Sequence, residues 1–141
     1  MAPGRPEQHD GSLARQPVFA RCSDKELETV AGMGTPIAVE PGYVLTREGR
    51  HGHEFFVITD GRAACSIGGE QVSTLEAGDF FGEVALLDGG TRSATVVAET
   101  AMKVIVIDSR EFSVMIRDVP SAARQIMVTL AQRLRAAEAR V

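Results

Sequence analysis

The residues best suited to chemistry lie between Phe80 and Val96. The segment opens Phe80-Phe81-Gly82-Glu83-Val84-Ala85-Leu86-Leu87, crosses Asp88-Gly89-Gly90-Thr91, and closes Arg92-Ser93-Ala94-Thr95-Val96. Glu83 and Arg92 flank a Gly-rich insertion in an otherwise apolar frame. A carboxylate and a guanidinium buried there must be satisfied by each other or by a ligand. The N–H groups that open a short helix near Glu83 to Leu86 have no intrahelical partner and favour negative charge. Arg92 can hold two phosphate oxygens in its planar fork, which a lysine does less well. Ser93 adds a hydroxyl donor. Glu83, acceptor-only when ionised, suits a sugar hydroxyl rather than a phosphate it would repel. Gly82 permits close approach of backbone. This set describes a site for a phosphorylated sugar.

Short strands must position those groups. From Thr35 to Ile107, apolar runs of four to six residues alternate with turn signals such as Glu40-Pro41-Gly42, Asp60-Gly61 and Gly78-Asp79, a pattern of all-β architecture. Phe55–Ile58 and Met102–Ile107 are the clearest strands. Gly68-Gly69, between Ala63–Ile67 and Gln71–Leu75, fits a two-residue hairpin. Ser23-Asp24-Lys25-Glu26 has the reciprocal capping-box pattern and predicts a helix from Asp24 to about Met33. Asp108 to Glu111 reads as a second cap, and Pro120 suits the first turn of a last helix. In that helix Ile126, Leu130 and Leu134, widened by Met127, form an apolar stripe. Arg124, Arg133, Arg135, Glu138 and Arg140 are assigned to the opposite, solvated face. The polar stretch 1–16 shows no apolar period and is read as a flexible tail.

The run Phe-Gly-Glu-x-Ala-Leu-Leu at 81–87, the Gly-containing loop, and Arg-Ser-Ala-Thr-Val at 92–96 closely resemble the phosphate-binding cassette of cyclic-nucleotide-binding domains. That family includes the catabolite activator protein, the regulatory subunits of cyclic-AMP-dependent kinase and cyclic-nucleotide-gated channels. The resemblance extends from about Val18 to Leu134, through Phe19, Phe55-Phe56-Val57-Ile58 before Gly61, Gly78-Asp79, Phe112 and Pro120. It implies a mainly β fold: an eight-stranded antiparallel β-roll, jelly-roll-like, with a short N-terminal helix and two C-terminal helices. Residues 17–119 would form the ligand-binding unit and 120–141 a lid helix. It also implies that Glu83 accepts the ribose 2′-hydroxyl, that Arg92 pairs with the cyclic phosphate and that Ser93 bonds it. The backbone of Gly82, Val84, Ala85 and Ala94 would complete the cradle.

Other candidates carry less. His51 and His53 could meet a cation from one strand face, as in a cupin-like enzyme, but the third histidine and later carboxylate are missing, so no metal is assigned. Cys22 and Cys65 stand in no metal or redox spacing and read as reduced thiols. No acid/base pair or nucleophile triad is visible, and the chain is read as non-catalytic. Lysine and arginine number 15 against 19 acidic residues, a net charge of -4, which gives no global sign of a nucleic-acid surface. Apolar runs are too short to span a bilayer and the N-terminus lacks a signal-peptide core, so cytoplasm is the expected location.

The ligand implied is cyclic AMP, with cyclic GMP open because Ser93 does not decide the base; no prosthetic group is expected. Filling the cassette would shift the helix near Ser109–Arg117 and close the last helix over the base. The chain stops at Val141, leaving no room for a helix-turn-helix, so direct DNA binding is not expected. The partner is an effector protein or an attached domain, and the last helix could also seat a homodimer. The alternatives are a ligand-free degenerate roll that binds proteins, and the cupin-like enzyme.

Overall fold

The computed structural model describes residues 4–140; the first three residues of the stretch read as a tail, and Val141, lie outside them. Among the described residues there are nine strands. They are β1 (Arg5–Pro6), β2 (Thr35–Val39), β3 (Val44–Thr46), β4 (Glu54–Asp60), β5 (Arg62–Ile67), β6 (Glu70–Glu76), β7 (Phe80–Phe81), β8 (Thr95–Ala98) and β9 (Met102–Asp108). Four α-helices accompany them: α1 (Asp24–Val30), α2 (Glu83–Asp88), α3 (Ser109–Asp118) and α4 (Pro120–Glu138). Two 3-10 turns, Leu13–Arg15 and Pro17–Phe19, precede α1.

All strand pairings are antiparallel, in two separate sheets ordered β1-β2-β9-β4-β7 and β3-β8-β5-β6. This overturns the expected eight-stranded, three-helix roll: the fold is mixed α/β, and each sheet ends on edge strands rather than closing. Two local causes account for the difference. Arg5 and Pro6 pair with Ala38 and Ile37 along the backbone, needing no apolar pattern, and Leu13 in the same stretch is buried in the core. Gly82 and Gly89, at φ 93° and 72°, bracket six residues that wind into a helix of their own.

Strand period builds three layers. On β4, Phe55 and Val57 face the helices, packing with Phe112, Met115 and Ile126, while Phe56 and Ile58 face the second sheet with Ala63, Leu75 and Val96. A strand buried on both faces reads as a continuous apolar run, which is how 55–58 appears in sequence. The pair Phe80-Phe81 is divided the same way: Phe80 lies 5.4 Å from Phe55, and Phe81 stacks on Phe56 at 4.7 Å. That division fixes the entry of the chain into Gly82 and the site.

Turn and cap chemistry follows the sequence closely. Gly68 and Gly69 both take positive φ in a hairpin that registers Ile67 against Glu70. Ser23 with Glu26 and Asp108 with Glu111 form complete capping boxes. Glu26 also accepts from the Ser121 backbone N–H at 2.9 Å and the Ser121 hydroxyl at 2.8 Å, so α1 caps the start of α4. Four backbone and side-chain hydrogen bonds to Ser23 and Ser121 hold the Glu26 carboxyl at a pKa of about 2, the backbone of Ser23 contributing most, against a smaller opposing effect of burial.

Candidate nucleotide-binding site

Gly82 links β7 to α2 in a left-handed conformation, and a Cβ there would stand 2.7 Å from the Glu54 carbonyl oxygen. Only glycine meets both conditions. The residue after it, Glu83, becomes the first of α2 and turns inward to 2% exposure. Its Oε1 accepts from Arg133 Nη1 at 2.8 Å, while Oε2 is buried with no hydrogen-bond partner. Burial pushes the carboxyl above its usual range, and the Arg133 charge pulls it part of the way back.

Arg92 is 5% exposed. Its Nη1 donates to the Gly82 carbonyl at 3.1 Å and its Nη2 to Glu54 Oε1 at 3.2 Å, and the guanidinium lies 5.8 Å from the Phe56 ring centroid. Burial lowers its affinity for the proton, opposed by Glu54. The peptide on either side is fixed as well: Arg92 N–H donates to the Arg50 carbonyl at 2.8 Å, and Gly49 N–H donates to the Arg92 carbonyl at 2.9 Å. Gly52 packs against the guanidinium so closely that a Cβ there would stand 2.0 Å from Nε. Thr46 Oγ1 donates to the Ala94 carbonyl at 3.0 Å and holds the strand that follows.

Gly82, Glu83, Val84, Ala85, Arg92, Ser93 and Ala94 all line one cavity of about 760 Å³, a size suited to a small organic ligand. Glu83 and Arg92 do not pair with each other; each has its own partner. The opposite wall is the C-terminal half of α4 and the turn after it, where Arg133 and Arg140 enter from the face assigned to solvent. Arg133 bonds Glu83, donates to the Phe80 carbonyl and lies 4.9 Å over the Phe80 ring; Arg140 donates to the Val72 carbonyl of β6. Sequence reasoning missed Arg133, Arg140, Gly52 and Glu54. Helical spacing contained one usable signal: Thr129, Arg133, Ala136 and Arg140 share a face, with Leu130 beside them. Met127 and Leu134, placed in the packing stripe, are 61% and 62% exposed.

A family model described as "Cyclic nucleotide-binding domain" matches residues 36–118. The chain belongs to that family. Among curated relatives, the cAMP-dependent protein kinase regulatory subunit of Yarrowia lipolytica is 37% identical over 77% of this chain and 29% of its own length. A cyclic nucleotide-gated potassium channel of Rhizobium etli is 32% identical over 86% of this chain and 34% of its own length. The chain thus spans about a third or less of these relatives. Among solved structures, the Thermus thermophilus catabolite activator protein superposes with a TM-score of 0.77 at 25% identity, covering 89% of this chain and 61% of that one. A cAMP-bound PfPKA-R structure gives 0.71 at 28% identity, covering 74% and 37%. The two buried charges of the cavity, Glu83 and Arg92, fall inside the matched segment, whereas Arg133 lies beyond it. Among the described residues no helix is long and apolar enough to cross a membrane, and no cluster of three or more histidine, cysteine or acidic side chains could hold a metal ion.

Proposed function

We propose that this cyclic nucleotide-binding domain takes cyclic AMP into the cavity between α2 and α4 and passes the event on as a non-catalytic sensor. The observation that carries the reading is Glu83 Oε2, a buried carboxylate oxygen without a partner, in the same cavity as the buried Arg92. Leaving a charged acceptor unpaired in the interior is costly, and a ribose 2′-hydroxyl would satisfy it. Arg92 pairs with the cyclic phosphate and Ser93 donates to it. The backbone of Gly82, Val84, Ala85 and Ala94 encloses the sugar and phosphate. Arg92 is already oriented by Gly82 and Glu54, so little ordering is left for binding to supply.

In this reading residues 17–119 hold the ligand and residues 120–141 act as lid and transmitter. Ligand moves α4 only by as much as it prefers one lid position over another. Met127 and Leu134, exposed on α4, offer an apolar surface to an effector or to a second copy of the chain. Cytoplasm is the proposed setting, where the free thiols of Cys22 and Cys65 stay reduced. Isothermal titration with cyclic AMP, cyclic GMP and 5′-AMP tests the core claim. Micromolar or tighter binding of a cyclic form, far weaker for 5′-AMP, is the expected result. Silence with both cyclic forms, on protein first refolded to strip carried-over ligand, would leave a ligand-free interaction module.

A further inference from the structure

A second cavity, of about 570 Å³, shares Arg92 and Thr46 with the first and is lined in addition by Arg47, Arg50, His51 and Glu54. The chain as a whole carries a net charge of -4, yet here three arginines and a histidine face a single carboxylate. That carboxylate is already engaged, because Glu54 pairs with Arg92. Among the described residues neither Arg47 nor Arg50 has an ion-pair partner. The two sit at the ends of one β-turn, closed by the Arg50 N–H donating to the Arg47 carbonyl at 3.1 Å, which keeps their Cα atoms within about 7 Å. Two arginines anchored that close on the backbone can bring both guanidinium forks onto one anion with adjacent charges.

We propose that this cavity is an anion site of the phosphate class, for which pyrophosphate is the simplest ligand, and that Arg92 reports its occupancy to the first cavity. The turn that presents Arg47 and Arg50 also grips the Arg92 peptide on both sides, through Gly49 and Arg50. An anion held there draws on the same positive charge that a cyclic phosphate would use, and it sits beside Glu54, which orients Arg92. Occupancy therefore weakens cyclic-nucleotide binding, by about fivefold or more, and the nucleotide weakens the anion by the same factor. This coupling rests on the nucleotide reading above; the anion site itself does not.

The test is isothermal titration of sodium pyrophosphate into the full chain at constant ionic strength, alone and with cyclic AMP present, and into the double variant R47A/R50A. Saturable binding that weakens at least about tenfold in the variant, while the variant unfolds cooperatively in urea as the wild type does, is the expected outcome. A parallel titration with ATP separates a nucleotide source from a free polyphosphate source; tighter binding of either supports the site. No saturable binding of pyrophosphate, or equal binding by wild type and variant, overturns it. A cyclic AMP affinity unchanged by saturating pyrophosphate overturns the link through Arg92. A chain that takes pyrophosphate through Arg47 and Arg50 but ignores cyclic AMP keeps this site and removes the nucleotide reading.

Discussion

Replacing Arg133 by alanine removes the α4 side chain that pairs with the buried Glu83. The substitution deletes a 2.8 Å ion pair, a hydrogen bond to the Phe80 carbonyl and a cation–π contact at 4.9 Å. Breaking a fully buried pair costs about 3–5 kcal/mol, but Arg133 is 35% exposed, so solvent screening brings the expected loss to about 2–3 kcal/mol. Urea unfolding of R133A measures it, and a double-mutant cycle with Glu83→Gln isolates the pair. In the Gln background the same truncation should cost at least about 1 kcal/mol less, since no carboxylate is then left stranded. The sign with pH is also fixed. The Glu83 carboxyl is held above its usual range by burial and rises further once Arg133 is gone, so the native state binds the extra proton. The stability deficit of R133A therefore shrinks as pH falls from neutral through the raised value toward the ordinary carboxylate range. A loss equal in both backgrounds to within about 0.5 kcal/mol, or a deficit independent of pH, would refute the argument that α4 is clamped through Glu83.

Three further outcomes follow from the same contacts. Arg92→Ala should weaken cyclic AMP by about 2–5 kcal/mol, roughly thirty-fold or more, in a calorimetric titration; an unchanged affinity would remove Arg92 from the site. Gly52→Ala puts a methyl group into the Arg92 guanidinium without backbone strain, since Gly52 is not among the glycines of positive φ; a penalty of about 1–3 kcal/mol should appear in nucleotide affinity, and normal binding by a folded variant would contradict it. Glu26→Gln removes a carboxylate whose pKa is about 2 in the fold, so its stabilisation is present above the unfolded value near 4.5 and is lost as pH falls toward 2. Urea titrations between those limits should show a shallower pH dependence for the variant, and parallel curves would be the contrary result.

The readable parts of this chain were those in which one short segment carries its own physics. Both capping boxes, the Gly68-Gly69 hairpin and the continuous apolar run Phe55–Ile58 depend on neighbours in sequence, and all formed. The proximity of Gly82, Glu83, Val84, Ala85, Arg92, Ser93 and Ala94 was legible for the same reason, and these seven residues line one cavity. The contacts that orient the charged pair were not. Arg92 is held by Glu54, 38 residues away, and Glu83 by Arg133, 50 residues away. An arginine on an amphipathic helix reads as solvated by default, and only the second sheet opposite α4 turns that face into a cavity wall. Strand β1 was invisible because Arg5 and Pro6 contribute backbone to β2 and almost no side-chain burial.

The cap that Glu26 supplies to Ser121 makes α4 a lever rather than a free rod. Its first turns are fixed, by that carboxylate and by Ala122 and Ile126 in the core, while most of the helix beyond Ile126 has few buried side chains. The axis from Ser121 to Arg133 is about 18 Å long at 1.5 Å per residue, and to Glu138 about 26 Å. A tilt of about 10° around the fixed end displaces the Arg133 backbone by about 3 Å and the far tip by about 4–5 Å. Three ångströms is as long as the Arg133–Glu83 contact itself. A small angular change at the base of α4 is thus enough to turn a closed ion pair into an open one, and the same change is largest at the C-terminal end of the helix, beside the cavity.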